Sequence, residues 1–216
     1  MTRSSRPLLL AAWAVAACEP VDDRTLTVMP DAIVLNNFEN QSAQPLDLRF
    51  TPWEYTVYNT DVGAAQAAIV MPGHDSNWCL RLEWQFTDPP NGTLDYPGTL
   101  ERTQIPGSLD LRAYTRFVFS HRYDDAGTCT LVQNLTINVQ CRELDSLYQT
   151  FVPTSATWQT TSVQLSDFTE AAYQAKGVLW EDCFRVADEV SITTQPNLQD
   201  GGCSAGALLL DDISIR

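Results

Sequence analysis

Residues Gly206 to Arg216 read GALLLDDISIR and follow a turn signal, Asp200-Gly201-Gly202. The stretch has the composition of a strand, interrupted by the pair Asp211-Asp212. Side chains of an extended chain alternate between its two faces. Leu209, Asp211, Ile213 and Ile215 are therefore expected on one face, and Leu208, Leu210, Asp212 and Ser214 on the other. Whichever face meets the core, one carboxylate sits among apolar residues. An ionised group there is costly unless it is paired or metal-bound. A second acidic stretch, Ile33 to Asn40 (IVLNNFEN), carries Glu39. The expectation is that the two stretches lie side by side as strands. Glu39 would then share an oxygen-rich cation site with Asp211, or with Asp212.

The chain between them is a series of short β-like runs split by Gly, Pro, Asn and Asp. Trp78 to Phe86 alternates, with Trp78, Leu80, Leu82 and Trp84 against Cys79, Arg81, Glu83 and Gln85. Thr115 to Tyr123 places Phe117, Phe119, His121 and Tyr123 in phase. Leu135 to Cys141 sets Leu135, Ile137, Val139 and Cys141 against Thr136, Asn138 and Gln140. Gln66–Met71, Leu147–Val152, Thr157–Leu165 and Asp188–Thr194 continue the pattern. One short helix is expected from Ser166 to Ala175, with a Ser or Thr cap and acid in its first turn. Many short alternating strands with little helix define an all-β chain, an antiparallel β-sandwich with at most one or two short helices.

The first 17 residues differ from the rest. Arg3 and Arg6 precede a short apolar run, Leu8 to Ala17, too short to span a bilayer and patterned as a secretory signal. It ends VAAC, Val15 to Cys18. Small residues before a cysteine resemble the lipobox of bacterial lipoproteins. That resemblance implies cleavage before Cys18, acylation of Cys18 with palmitate or a similar chain, and anchoring to a membrane of the bacterial cell envelope, the outer membrane in first place. Residues 18–32 then form a flexible tether and residues 33–216 the folded domain. The full chain has a net charge of −14, and loss of Arg3 and Arg6 makes it more negative still. Nucleic acid is excluded as a partner, because that binding rests on Lys and Arg neutralising phosphates.

An exported chain can oxidise its cysteines in pairs. Without Cys18, five remain: Cys79, Cys129, Cys141, Cys183 and Cys203. The expected bridge is Cys183–Cys203, because both lie in loops flanking the strand Asp188–Thr194. No CxxC occurs, so cysteine-metal chemistry is not expected.

Phe38-Glu39 at the end of an early strand, the Trp-x-Leu-x-Leu strand, WQTTSVQLSDF (Trp158–Phe168) and the close ADEVSITTQP…GALLLDDISIR together resemble the galactose-binding-like jelly rolls. These include families of carbohydrate-binding modules and the CIA30-type domains. The resemblance implies a jelly-roll β-sandwich. It also implies a structural calcium ion held by Glu39 and Asp211, with Asp212 as the alternative. A glycan is the implied partner of the carbohydrate-binding relatives, and a cell-surface protein that of the CIA30-type ones.

Candidate glycan contacts follow from chemistry. Sugar C–H faces stack on aromatic rings, and hydroxyls bond to amides and charged groups. Six Trp and seven Tyr serve one domain. Trp53, Tyr55 and Tyr58 cluster in a loop or edge strand. Asn138, Gln140 and Arg142 line one polar strand face, as Arg81 and Glu83 line another. Trp78, Trp84 and Trp158 are expected in the core, and His121 is expected to be a packed residue. No catalytic set is expected. His74-Asp75-Ser76 is adjacent in sequence and lies in a turn, where a nucleophile, base and orienter do not converge.

Overall fold

The computed structural model describes residues 32–58, 63–87, 98–125, 134–194 and 203–216. Cys18, the expected signal segment and the expected tether up to residue 31 lie outside the described residues, as does Cys129.

Two antiparallel sheets face each other. The strands are β1 (Ile33–Asn36), β2 (Glu54–Tyr58), β3 (Gly63–Val70), β4 (Cys79–Thr87), β5 (Gly98–Leu109), β6 (Arg116–Asp125), β7 (Asn134–Cys141), β8 (Ser146–Pro153), β9 (Gln159–Gln164), β10 (Thr169–Glu170), β11 (Ala187–Thr194) and β12 (Cys203–Ile215). The first sheet runs β3-β4-β12-β6-β9, with β1 also paired to β12; the second runs β10-β8-β7-β11-β5-β2. The core fills the space between them. Leu80, Leu82 and Trp84 of β4, Phe117 and Phe119 of β6, and Leu208 and Leu210 of β12 come from the first sheet. Leu135, Ile137 and Val139 of β7, with Val190 and Ile192 of β11, come from the second. The alternation read from the sequence is thus the in-and-out pleat of each sheet. Glu101 of β5 faces this core, opposite Ile192 in register. It is 1% exposed, its Oε1 has no partner, and burial pushes its carboxyl up to about 9.

The two ends of the domain meet as expected: β1 pairs with β12. The long β12 has β4 beside its first half and β1 beside its second, with β6 along the other edge. Its face assignment departs from simple alternation. Asp211 pairs with Ser120 and Ser214 with Val118, so β12 carries one extra residue there. This is a β-bulge, and Asp212 takes the left-handed conformation within it (φ 50°). The extra residue shifts the phase. Leu208 and Leu210 face the core before it, and Ile213 and Ile215 after it. Asp211 therefore shares the outer face with Leu209 and not with the isoleucines.

The helix expected at Ser166–Ala175 does not form. Leu165–Asp167 and Ala172–Gln174 are single 3-10 turns around the short β10. Glu170 accounts for this. Its carboxylate accepts from Ser146 Oγ and from the backbone N–H groups of Lys176, Gly177 and Val178, so it closes a loop where a first-turn acid was expected. Among the described residues one α-helix forms, α1 (Trp180–Arg185), with Glu181 and Asp182 in its first turn and Arg185 in its last. It brings Cys183 to Cys141 at the end of β7, and these two form the disulfide, Cα–Cα 5.4 Å. The expected Cys183–Cys203 bridge is corrected by this pairing. The strand β11 separates the two positions by about 23 Å of extended chain. Cys203 also begins β12 in the opposite sheet, against Thr87.

Candidate functional site

The outer face of the β10-β8-β7-β11-β5-β2 sheet carries an unbroken polar row. Directly opposed residues of antiparallel strands point to the same side. Glu54 of β2 opposes Arg102 of β5, Arg102 opposes Ser191 of β11, Ser191 opposes Asn138 of β7, Asn138 opposes Gln149 of β8, and Gln149 opposes Thr169 of β10. One residue from each strand thus crosses the whole sheet, a span of about 24 Å at the usual strand spacing. A parallel row places Gln104, Glu189 and Gln140 beside it, and another places Thr193, Thr136 and Phe151.

The row is wired together. Arg102 donates Nε and Nη2 to Glu54 Oε2 at 3.1 and 3.0 Å. Its Nη1 lies 3.7 Å from Glu189 Oε2. Arg142, just past the end of β7, donates to the same Glu189 oxygen and gives its backbone N–H to Asp188 Oδ2. Glu189 is 5% exposed, and burial raises its carboxyl above the ordinary range although both arginines oppose that shift. Asn138 donates Nδ2 to Ser191 Oγ at 3.3 Å and to Thr193 Oγ1 at 3.0 Å. Its amide oxygen remains for a donor from outside. The middle of the row, Ser191 and Asn138, is buried, while Phe151 stands 60% exposed beside it. Short hydroxyl and amide groups, three guanidinium–carboxylate pairs and one open aromatic ring are the elements that recognise a sugar.

Asn138, Gln140 and Arg142 therefore fall where the sequence placed them, on one face. Tyr55 and Tyr58 fall on β2, an edge strand, and their side chains lie outside the described residues. Trp53 is a correction: it is in the core, 7% exposed, and not on the surface. Arg81 and Glu83 lie on the outer face of the other sheet. There Arg81 pairs with Asp124 at 3.0 Å, and Arg122 donates to Asp124 at 2.9 Å. Of the three tryptophans expected in the core, Trp84 is in it and Trp78 packs against it. Trp158 instead lies beneath the Arg122 guanidinium, 5.5 Å from its carbon, and 5.5 Å from the His74 ring. Arg102, Glu54, Glu189, Ser191 and Gln149 escaped the sequence reading. The polar phase of β11, Glu189-x-Ser191-x-Thr193, was visible; its place beside Asn138 depends on register.

Glu39 and Asp211 converge on one segment, the loop from Pro72 to Trp78 between β3 and β4. Asp211, fully buried, accepts from His74 N–H at 2.9 Å and Ser76 Oγ at 2.6 Å through Oδ2, and from Asp212 N–H at 2.9 Å through Oδ1. Burial is the main cause that raises its carboxyl above the ordinary range. Glu39 grips the loop from the solvent side, accepting from the N–H groups of Asn77 and Trp78 and from Asn77 Nδ2. The Trp78 N–H does most to hold its carboxyl below the ordinary range. Asp212 Oδ2 lies 3.6 Å from His74 Nδ1. Gly73 is required here, since a Cβ would stand 2.1 Å from Ser76 Oγ, 2.5 Å from the Trp78 carbonyl and 2.7 Å from Asp211 Oδ2. Asp211 Oδ2, Ser76 Oγ and the Trp78 carbonyl thus crowd together as hard oxygen donors, the kind calcium takes. No cluster of three or more His, Cys, Asp or Glu side chains gathers at a metal-binding spacing among the described residues.

No family model and no curated protein matches the chain. Solved structures do. A family 11 carbohydrate-binding module of a cellulosomal cellulase of Clostridium thermocellum matches with a TM-score of 0.56 at 12% identity, over 85% of this chain and 93% of that one. A family 11 module from Clostridium thermocellum in complex with a β-1,3-1,4-mixed-linked tetrasaccharide matches with a TM-score of 0.54 at 14% identity, over 85% and 94% of the two chains. An exo-β-agarase matches at 0.50 and 11% identity, over 85% of this chain and 25% of the agarase. At such identities the likeness is one of fold. The chain has the jelly-roll β-sandwich of carbohydrate-binding modules.

Proposed function

We propose that this protein binds glycans without cleaving them, on the outer face of the β10-β8-β7-β11-β5-β2 sheet. The observation that carries this reading is the polar row Glu54–Arg102–Ser191–Asn138–Gln149–Thr169, continuous across six strands, with Phe151 beside it. An extended polysaccharide laid along such a row meets hydroxyl, amide and guanidinium groups at each strand crossing. Glu54 and Glu189 on the face are both engaged by arginines. That arrangement suits binding better than acid–base catalysis, which needs a free acid and base flanking the bond. The bound tetrasaccharide of the family 11 module supports the glycan class for a chain of this fold.

The anchor and the ion complete the proposal. The VAAC segment at Val15–Cys18 supports acylation of Cys18, which would hold the domain to a membrane of the cell envelope. Calcium would be held by Asp211, Ser76 Oγ and the Trp78 carbonyl, with Glu39 as the second carboxylate on the same loop. Bound there, it would supply a cross-link between β12 and that loop. A glycan array probed with the purified protein, with calcium and with chelator, tests both parts. Binding of one polysaccharide class is expected. Absence of binding across the array would favour a protein partner on the same fold.

A further inference from the structure

The charges wired together on the outer face do not balance. Three carboxylates, Glu54, Asp188 and Glu189, stand against two guanidiniums, Arg102 and Arg142, and leave one negative charge over. Glu189 is at the centre. Arg102 reaches its Oε2 from β5 and Arg142 reaches the same oxygen from just past β7, so one atom holds both cations. Asp188, beside it on β11, accepts the Arg142 backbone N–H through Oδ2, while its Oδ1 is buried without a partner. Glu54, on the edge strand β2, holds the far side of Arg102.

This wiring decides what the arginines can recognise. A free guanidinium offers a fork of N–H groups to a carboxylate or a sulfate. Arg102 turns Nε and Nη2 to Glu54 and Nη1 toward Glu189, so each of its nitrogens already faces a carboxylate of the protein. Arg142 gives Nη2 to Glu189. An anion arriving from solvent must displace one of these pairs and sit near the uncompensated charge. Glu189 is 5% exposed, so water screens that charge poorly. A sugar hydroxyl has no such conflict: it takes a remaining N–H and leaves the pairs in place. The net charge of −14 on the whole chain acts in the same direction.

We infer that Glu189 is a specificity-determining residue, which keeps the face for neutral glycans and turns acidic ones away. This role rests on the outer-face reading and names the class of glycan for it. It also carries a pH dependence. The charged groups around Glu189 are Arg102 of β5, Arg142 beyond β7 and Asp188 on its own strand, with Glu54 of β2 behind Arg102. Burial raises the carboxyls of both Glu189 and Asp188 above the ordinary range. They therefore take up protons at a higher pH than exposed acids do. Exclusion of acidic glycans is complete at neutral pH and weakens as pH falls.

The probes are oligosaccharides of cellulose, xylan, mannan, galactan and agarose, each paired with its sulfated derivative, which stays charged in mild acid. Calorimetric titration gives the ratio of the two dissociation constants for each pair. At neutral pH at least one neutral probe is expected to bind wild type about tenfold or more tighter than its sulfated partner, since like charges brought together at an interface are costly. Glu189→Gln keeps the size and removes the charge, and should shrink that ratio at least about threefold. Lowering the pH of the wild type to about 5 should shrink it too, and this second measurement decides the matter if the variant does not fold. A ratio that neither change moves overturns the role of Glu189. A sulfated probe that binds as tightly as its neutral partner at neutral pH, and is weakened by Asn138→Ala, overturns it and leaves the outer-face site standing. No binding of any probe removes the outer-face reading and the role of Glu189 with it.

Discussion

Replacing Glu101 with Gln should make the protein more stable at neutral pH. Glu101 faces the core, its Oε1 has no partner, and burial lifts its carboxyl from 4.5 to about 9. The folded protein therefore keeps a proton that the unfolded chain releases above pH 4.5. A group whose folded value is raised contributes its full stability below the unfolded value and loses it as pH rises toward the folded one. Between pH 4.5 and 7 that loss is about 2.5 units at 1.36 kcal/mol each, or about 3 kcal/mol. Gln has the same shape and no proton to lose. The gain of Glu101→Gln over wild type should be near zero at pH 4.5 and about 3 kcal/mol at pH 7. For a chain of this size that corresponds to a rise in Tm of about 6–12 °C. Thermal unfolding of both proteins from pH 4.5 to 9 measures the difference directly and cancels the contributions of other groups. A difference independent of pH, or a Glu101→Gln variant less stable than wild type at pH 8, would refute the reasoning.

The remaining expectations concern other parts of the fold. Cys183→Ser opens the Cys141–Cys183 bridge, which closes 42 residues; the loss should be about 4 kcal/mol, measured by denaturant unfolding, and equal stability of mutant and wild type would contradict it. Asp211→Asn replaces one acceptor oxygen with a donor facing the loop N–H groups and should cost about 1–3 kcal/mol. If calcium binds there, chelator should lower the wild-type Tm and leave that of the Asp211→Asn variant unmoved. His121, lowered from 6.5 to about 4 by burial, contributes stability above pH 6.5 that is lost as pH falls toward 4. His121→Phe should therefore gain on wild type by about 3 kcal/mol at pH 4 relative to pH 7, and parallel acid unfolding curves would count against the burial. A fatty-acid probe should label the wild-type chain in bacterial cells and not Cys18→Ser.

The strands that were legible are those with one polar face and one apolar face. β4, β6, β7 and β11 alternate cleanly, and each lies where the alternation put it. β5 did not stand out, because Gly98, Pro106 and Gly107 break its pattern. Its inward Glu101 disguises the core phase as well. The bulge at Asp211-Asp212 defeated simple parity for a related reason. A single extra residue exchanges the faces of everything beyond it, and two adjacent acids do not announce which one is extra. The meeting of β1 with β12 was legible; that Glu39 and Asp211 both bond the Pro72–Trp78 loop was not, because that segment reads only as a turn. The disulfide was not legible, because the loops holding Cys183 and Cys203 are separated by the strand β11 and only the fold brings Cys183 to Cys141. The candidate site was half legible. Asn138, Gln140 and Arg142 sit on a visible polar phase, but their partners Arg102, Glu189 and Ser191 come from strands 36 or more residues away, and only register brings them together.

The central claim is that the polar row of the second sheet holds a glycan. Calorimetric titration of the glycan selected on the array into wild type, Asn138→Ala, Arg102→Ala and Arg81→Ala tests it most directly. Loss of a hydrogen-bonding group on the row should weaken binding about tenfold, equivalent to about 1.4 kcal/mol. Asn138→Ala and Arg102→Ala should each show that loss, while Arg81→Ala, on the outer face of the other sheet, should bind as wild type does. Wild-type affinity in both row variants, with binding lost in Arg81→Ala, would contradict the account and move the site to the opposite sheet.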